Sequence, residues 1–179
     1  MIFAMFVAKT SAIFAQQPRF MSKNFTHLDA AGNPSMVDVG DKPATRRTAK
    51  ARCTVVLDEA ILAHFINDDI QTKKGPVFQT AIIAGVMAAK RTGDLIPLCH
   101  PLGLENCQVR IALNEQREVV IECEASLTGK TGVEMEALTG ATVAALTIYD
   151  MCKAMSHNII IRDTMLVEKT GGKKDFRRL

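Results

Sequence analysis

The sequence predicts a single α+β domain with a split βαβ pattern: a mainly antiparallel sheet, helices on one of its faces, and the other face left to a partner. Three observations predict it. A long apolar helix follows a Gly-flanked turn in GKTGVEMEALTGATVAALTIYDMCK, residues 129–153. Two alternating apolar runs, CQVRIAL (107–113) and VVIECEASL (119–127), flank the polar turn Asn114–Glu118 and read as a hairpin. The remaining segments complete the order β-α-α-β-β-α-β, with an extra helix in the first crossover.

In chain order, residues 1–20 are apolar with scattered bases, and no acidic residue precedes Asp29. Lys9 breaks the apolar run, which is too short to span a membrane and lacks an A-x-A cleavage signal. Met21 then opens a soluble-looking start. Residues 1–25 are therefore expected to be an unstructured extension and 26–176 the domain, with 177–179 a tail. An organelle-targeting role for residues 1–20 stays open beside a cytoplasmic location. From Asp29 to Lys50 the chain is polar, punctuated by Gly32, Pro34, Gly40 and Pro43, and reads as a loop or loosely held arm carrying Lys42, Arg46, Arg47 and Lys50. ARCTVVL (51–57) is a strand, and Asp58 caps an amphipathic helix through Asp68.

Thr72–Gly75 is a connector to a second helix, Pro76–Arg91, with proline at its first position and bases in its last turn. Lys73 and Lys74 stand at the mouth of that helix, where unpaired N–H groups and cations together suit a phosphate, although lysines there are more often merely solvated. Pro97 and Pro101 bracket His100 and hold Leu98–His100 as a rigid, non-helical edge. In the hairpin, Cys107, Val109, Ile111 and Leu113 are expected to face inward opposite Val119, Ile121, Cys123 and Ala125. NIIIRDTMLVEK (158–169) is the last strand, followed by a Gly-rich basic tail.

The long helix is apolar on more than one face: Leu138, Ala141, Ala145, Ile148 and Cys152 form one stripe, and Val143, Ala144, Leu146 and Met151 fall elsewhere. Its own sheet can cover one side, and a second copy is the simplest cover for the other. Glu134 and Glu136 lie near its start, Asp150 and Lys153 near its end. At about 1.5 Å per residue the two pairs are roughly 20 Å apart, too far for one small ligand to touch both within one chain. Two subunits could bring opposite ends together. The plainer alternative is that these charges only complement the helix dipole.

Composition removes several classes of function. A net charge of +3 is too mild for bulk nucleic-acid binding, and the absence of Trp with a single Tyr leaves few platforms for stacking bases. Five cysteines, Cys53, Cys99, Cys107, Cys123 and Cys152, contain no CxxC pair and read as reduced intracellular thiols; Cys99 beside His100 lacks the second pair a zinc site needs. GKTG at 129–132 is not a P-loop, because that pattern needs glycine at position 124 and Glu124 stands there. Asp150 and Lys153 share a helical face and can pair, either as a surface ion pair or, given the apolar residues around them, inside a pocket where the amine acts as acid, base or phosphate clamp.

Four segments, THLDAAGNPSMVDVGDKPATRR, KKGPVFQTAIIAGVMAAKRTGDLIPLCHPL, GKTGVEMEALTGATVAALTIYDMCKA and EKTGGKKDF, resemble the cyclic pyranopterin monophosphate synthase family, over about Thr26 to Phe176. The most specific are LIPLCHPL and GKTGVEMEALT; the segment before Met21 departs from the family pattern. The resemblance implies the second step of molybdenum cofactor biosynthesis: the 3′,8-cyclo-7,8-dihydroguanosine triphosphate made by a radical partner enzyme is rearranged to a pyranopterin, and a cyclic phosphate is closed with loss of pyrophosphate. It further implies a ferredoxin-like fold and a homohexamer built from dimers. By the same resemblance Asp150 matches the active-site aspartate and Lys74 and Lys153 the essential lysines. Leu98, Cys99, His100, Met135 and Glu136 match substrate-binding positions, with Glu134 beside them, and Lys42, Arg47, Lys90 and Lys169 match basic positions around the triphosphate. No cofactor or protein-held metal is called for, Mg²⁺ accompanying the triphosphate being the one option. The rival reading is a ferredoxin-like RNA-binding or regulatory module, which would want aromatic residues on the sheet face and a stronger basic stripe.

Overall fold

The computed structural model describes residues 27–29 and 31–178, in two units divided between Ser35 and Met36. The expected extension, residues 1–25, lies outside the described residues. In the first unit the Asp29 carboxylate accepts the backbone N–H groups of Ala31 and Asn33, and Leu28 bridges Pro34. All the strands and helices named below lie in the second unit.

The unit is α+β, and its main sheet is antiparallel throughout. The long strands are β1 (Thr45–Val56), β5 (Asn106–Leu113), β6 (Val119–Gly129) and β7 (Ile160–Thr170). With the short β8 (Phe176–Arg177), they lie in the order β5-β6-β1-β7-β8. The hairpin register sets Cys107 opposite Ala125, Val109 opposite Cys123, Ile111 opposite Ile121 and Leu113 opposite Val119, the inward set the alternation predicts. On β1 the buried apolar residues are Ala49, Ala51, Cys53 and Val55. Between them, on the other face, Lys50 and Arg52 pair with Glu122, and Lys50 also reaches Glu124.

Helices α2 (Val77–Lys90) and α4 (Glu134–Cys152) cover the buried face. They meet where backbone approaches backbone: a Cβ on Gly85 would stand 2.8 Å from the carbonyl oxygen of Gly140, and one on Gly140 would stand 2.6 Å from the Cys123 sulfur. This crossing corrects one inference. The second buried side of α4 is closed by α2 of the same chain, so the helix does not by itself require another copy. No described helix is long and apolar enough to cross a membrane.

Three further expectations are corrected. Strand β1 begins at Thr45, so Arg46, Arg47 and Lys50 belong to the sheet and not to a loose arm. The helix expected over 58–68 is a single turn, α1 (Glu59–Leu62), with Asp58 as its cap. After it, β2 (Phe65–Ile66), β3 (Asp69–Thr72) and β4 (Gly75–Pro76) form a separate small sheet. Asn67 and Asp68 both have positive φ, 52° and 62°, which is the geometry of a tight two-residue hairpin turn and incompatible with a continuing helix. Lastly, one more helical turn, α3 (Thr92–Leu95), precedes the proline-bracketed loop.

Candidate functional site

The α2 N-terminus is already occupied. Asp69, 5% exposed, accepts the N–H groups of Phe78 and Gln79 at 2.7 and 3.1 Å, so a side-chain carboxylate fills the place where the sequence allowed a phosphate. The connector lysine Lys74 instead points to the far end of α4.

There, three predicted residues meet. Asp150 sits in the last turn of α4, Lys153 is its C-cap residue, and Lys74 lies in the β3–β4 turn. Asp150 Oδ1 is 2.7 Å from Lys153 Nζ and Oδ2 is 3.6 Å from Lys74 Nζ. The Lys153 hydrogen bond and charge, then the Lys74 charge, hold the Asp150 carboxyl below its ordinary range, and Asp150 in turn holds Lys153 above the ordinary lysine range. That upward shift favours the ammonium form of Lys153, a form that can serve as a cation or a proton donor. Within one chain the cluster is open: Lys74 and Asp150 are each 58% exposed and Lys153 is 49% exposed. The apolar neighbours of Asp150 do not enclose it.

A second group gathers about the N-terminal end of α4. Glu134 pairs with Lys169 of β7 at 2.8 Å. Arg47 Nε donates to the Gly129 carbonyl at 3.3 Å. Glu136, 3% exposed, lines a cavity of about 240 Å³ together with Lys90, Thr92, Asp94, Pro101 and Leu102. Burial, reinforced by the Glu134 charge, pushes the Glu136 carboxyl up, and burial with the Glu136 charge does the same to the Cys99 thiol. Met135 is exposed between the two glutamates, and Leu98 is half-buried in the loop before β5. His100 Nε2 is 2.9 Å from the Val37 carbonyl. Because a carbonyl can only accept, that nitrogen carries the proton. Lys42 stands half-buried on the strap of residues 36–44 that His100 reaches. Asp94 and Thr92 were not singled out by the sequence; only their flanking of LIPLCHPL marked them.

The two groups occupy opposite ends of α4, and from Glu136 to Asp150 the axis rises roughly 20 Å. One end joins an ionised carboxylate to two ammonium groups, suited to proton transfer beside phosphate. The other offers a cavity lined by the Glu136 and Asp94 carboxyls and the Lys90 amine, with the Glu134–Lys169 pair at the same end of the helix.

The sequence profile described as the MoaC family matches residues 36–172, which include both groups. The chain belongs to the MoaC family. Among its relatives in the family, a cyclic pyranopterin monophosphate synthase of Xanthomonas axonopodis pv. citri is 51% identical over 155 residues, covering 87% of this chain and 94% of the relative. One of the same name from Oleidesulfovibrio alaskensis is 53% identical over 159 residues, covering 88% and 99%. A molybdenum cofactor biosynthesis bifunctional protein of Synechocystis sp. is 53% identical over 155 residues, 84% of this chain; the chain spans only 45% of that longer relative.

The raised Glu136 carboxyl gives this MoaC chain a pH signature. A carboxyl whose folded pKa exceeds its unfolded value stabilises the fold below the unfolded value and loses that contribution as pH rises through the folded one. Ionised Glu136 therefore costs stability at neutral pH. Glu136→Gln is expected to raise Tm at pH 7 by about 2–4 °C, and by less at pH 4, in parallel thermal melts. A lower Tm at pH 7 would mean that the ionised carboxylate is held by a cation.

Proposed function

We propose that the chain is a cyclic pyranopterin monophosphate synthase, converting 3′,8-cyclo-7,8-dihydroguanosine 5′-triphosphate to cyclic pyranopterin monophosphate with release of pyrophosphate, in molybdenum cofactor biosynthesis. The observation that carries the reading is Asp150 held between Lys153 and Lys74. Closing a cyclic phosphate with loss of pyrophosphate needs a proton acceptor and cations on the departing oxygens. The ionised aspartate can take a proton, and the two ammonium groups can give one or stabilise the leaving group. Near-complete coverage of the similarly named relatives supports the same conclusion. Mg²⁺, where present, enters on the triphosphate.

The order of the four long strands, second, third, first, fourth along the sheet, supports a ferredoxin-like fold. Ile83 and Met87 on α2 and Leu146 on α4, 62%, 48% and 54% exposed, support an apolar assembly surface on the helix layer, consistent with a homohexamer built as a trimer of dimers. In that assembly the active site is shared: Met135 and Glu136 from one subunit, Asp150 and Lys153 from another. The free thiols support a cytoplasmic location. The RNA-binding alternative loses ground because Lys50 and Arg52, on the open sheet face, are neutralised by Glu122 and Glu124. A coupled assay with the radical enzyme of the first step tests the reading. Pyrophosphate and pyranopterin should appear together, and salt-sensitive RNA binding without either product would favour the rival.

A further inference from the structure

Arg47 and Lys169 are anchored to the body of the site, Arg47 by its bond to the Gly129 carbonyl and Lys169 by its pair with Glu134. Lys42 is placed differently, because it belongs to the strap. The strap ends in a preformed turn: the Gly40 N–H donates to Asp38 Oδ1 at 2.8 Å, and the Lys42 N–H donates to the Val39 carbonyl at 3.1 Å. Two side chains reach it from outside. His100 holds the Val37 carbonyl, and Lys130 Nζ donates to the Gly40 carbonyl at 2.5 Å. A charge-assisted bond to a rigid turn fixes the residues that complete that turn, and Lys42 is the last of them.

We propose that Lys130 is a positioning residue for this reaction: by holding the Gly40 carbonyl it fixes Lys42 relative to Arg47 and Lys169, so that three cations meet the triphosphate together. Lys130 is exposed, and its amine is committed to a backbone carbonyl, so it acts through the strap and not on the reacting atoms. The proposal rests on the reading above that the site takes a triphosphate.

Lys130→Met and Lys130→Arg, made in the full chain, test it by two independent routes. Without any ligand, hydrogen exchange at the Gly40 and Lys42 amides should accelerate about tenfold in Lys130→Met, the equivalent of one lost charge-assisted hydrogen bond, and stay near wild type in Lys130→Arg. In turnover of the cyclised nucleotide, Lys130→Met should raise KM about tenfold with kcat within about twofold, and Lys130→Arg should restore KM. In a Lys42→Met background, Lys130→Met should raise KM no further. Unchanged strap exchange, a fall in kcat at constant KM, or KM effects that multiply in the double variant would each overturn the positioning role. A wild-type chain that turns over no cyclised nucleotide would instead sink the functional reading, and the exchange data would still decide whether Lys130 holds the strap.

Discussion

Alanine at Lys153 or at Lys74 is expected to abolish product formation, lowering kcat by about 10³-fold or more, with Tm and assembly unchanged. Both side chains are half-exposed and contribute nothing to the core, so their removal leaves packing intact. What it does change is the charge on Asp150. Each lysine helps keep that carboxyl ionised, and without either one the remaining pair is a single weak surface ion pair. Steady-state assays of pyrophosphate release, with thermal melts on the same preparations, make the check. Near-normal turnover by one variant at unchanged stability would remove that lysine from the mechanism.

Mixed oligomers of two inactive variants are expected to regain activity. Glu136→Ala damages one end of α4 and Asp150→Ala the other, and roughly 20 Å of helix separates them within a chain. If each site takes one end from each of two subunits, random co-assembly leaves roughly one quarter of the sites with both ends intact, and that fraction of wild-type turnover should return. Co-expression with distinct affinity tags, followed by tandem purification, yields verified mixtures. No recovery from such mixtures would place the whole chemistry within one chain.

Where local pattern decides the structure, the sequence was sufficient. The hairpin register from Cys107 to Ala125 and the span of α4 follow from periodicities of two and 3.6 residues, because a burying face leaves its imprint on every second or every third and fourth side chain. Long-range partners were not legible. Arg46 and Lys50 look solvated along the chain, yet Arg46 pairs with Glu105 and Lys50 with Glu122 on the neighbouring strand. Asp69 fell just past the helix expected through Asp68, with no role assigned, and its destination, the N–H groups of Phe78 and Gln79, appears only once β3 turns back toward α2. The local signal for that turn was present in Asn67–Asp68, between the short strands Phe65–Ile66 and Asp69–Thr72, and the apolar run before it obscured it. For the site, the family resemblance named the residues, and the fold supplied what it could not: which of them meet at each end of α4.

The small sheet makes Lys74 the tip of a lever. Asp69 clamps one end of β3 to the first turn of α2, and the β3–β4 turn carries Lys74 at the other end, about 10–13 Å away along the strand. Lys74 is thus placed through Asp69 and α2, and Asp150 through α4, so the seating of α2 on α4 sets the gap between them. The Gly85–Gly140 crossing, where backbone meets backbone, therefore fixes the tolerance of a gap that it does not touch.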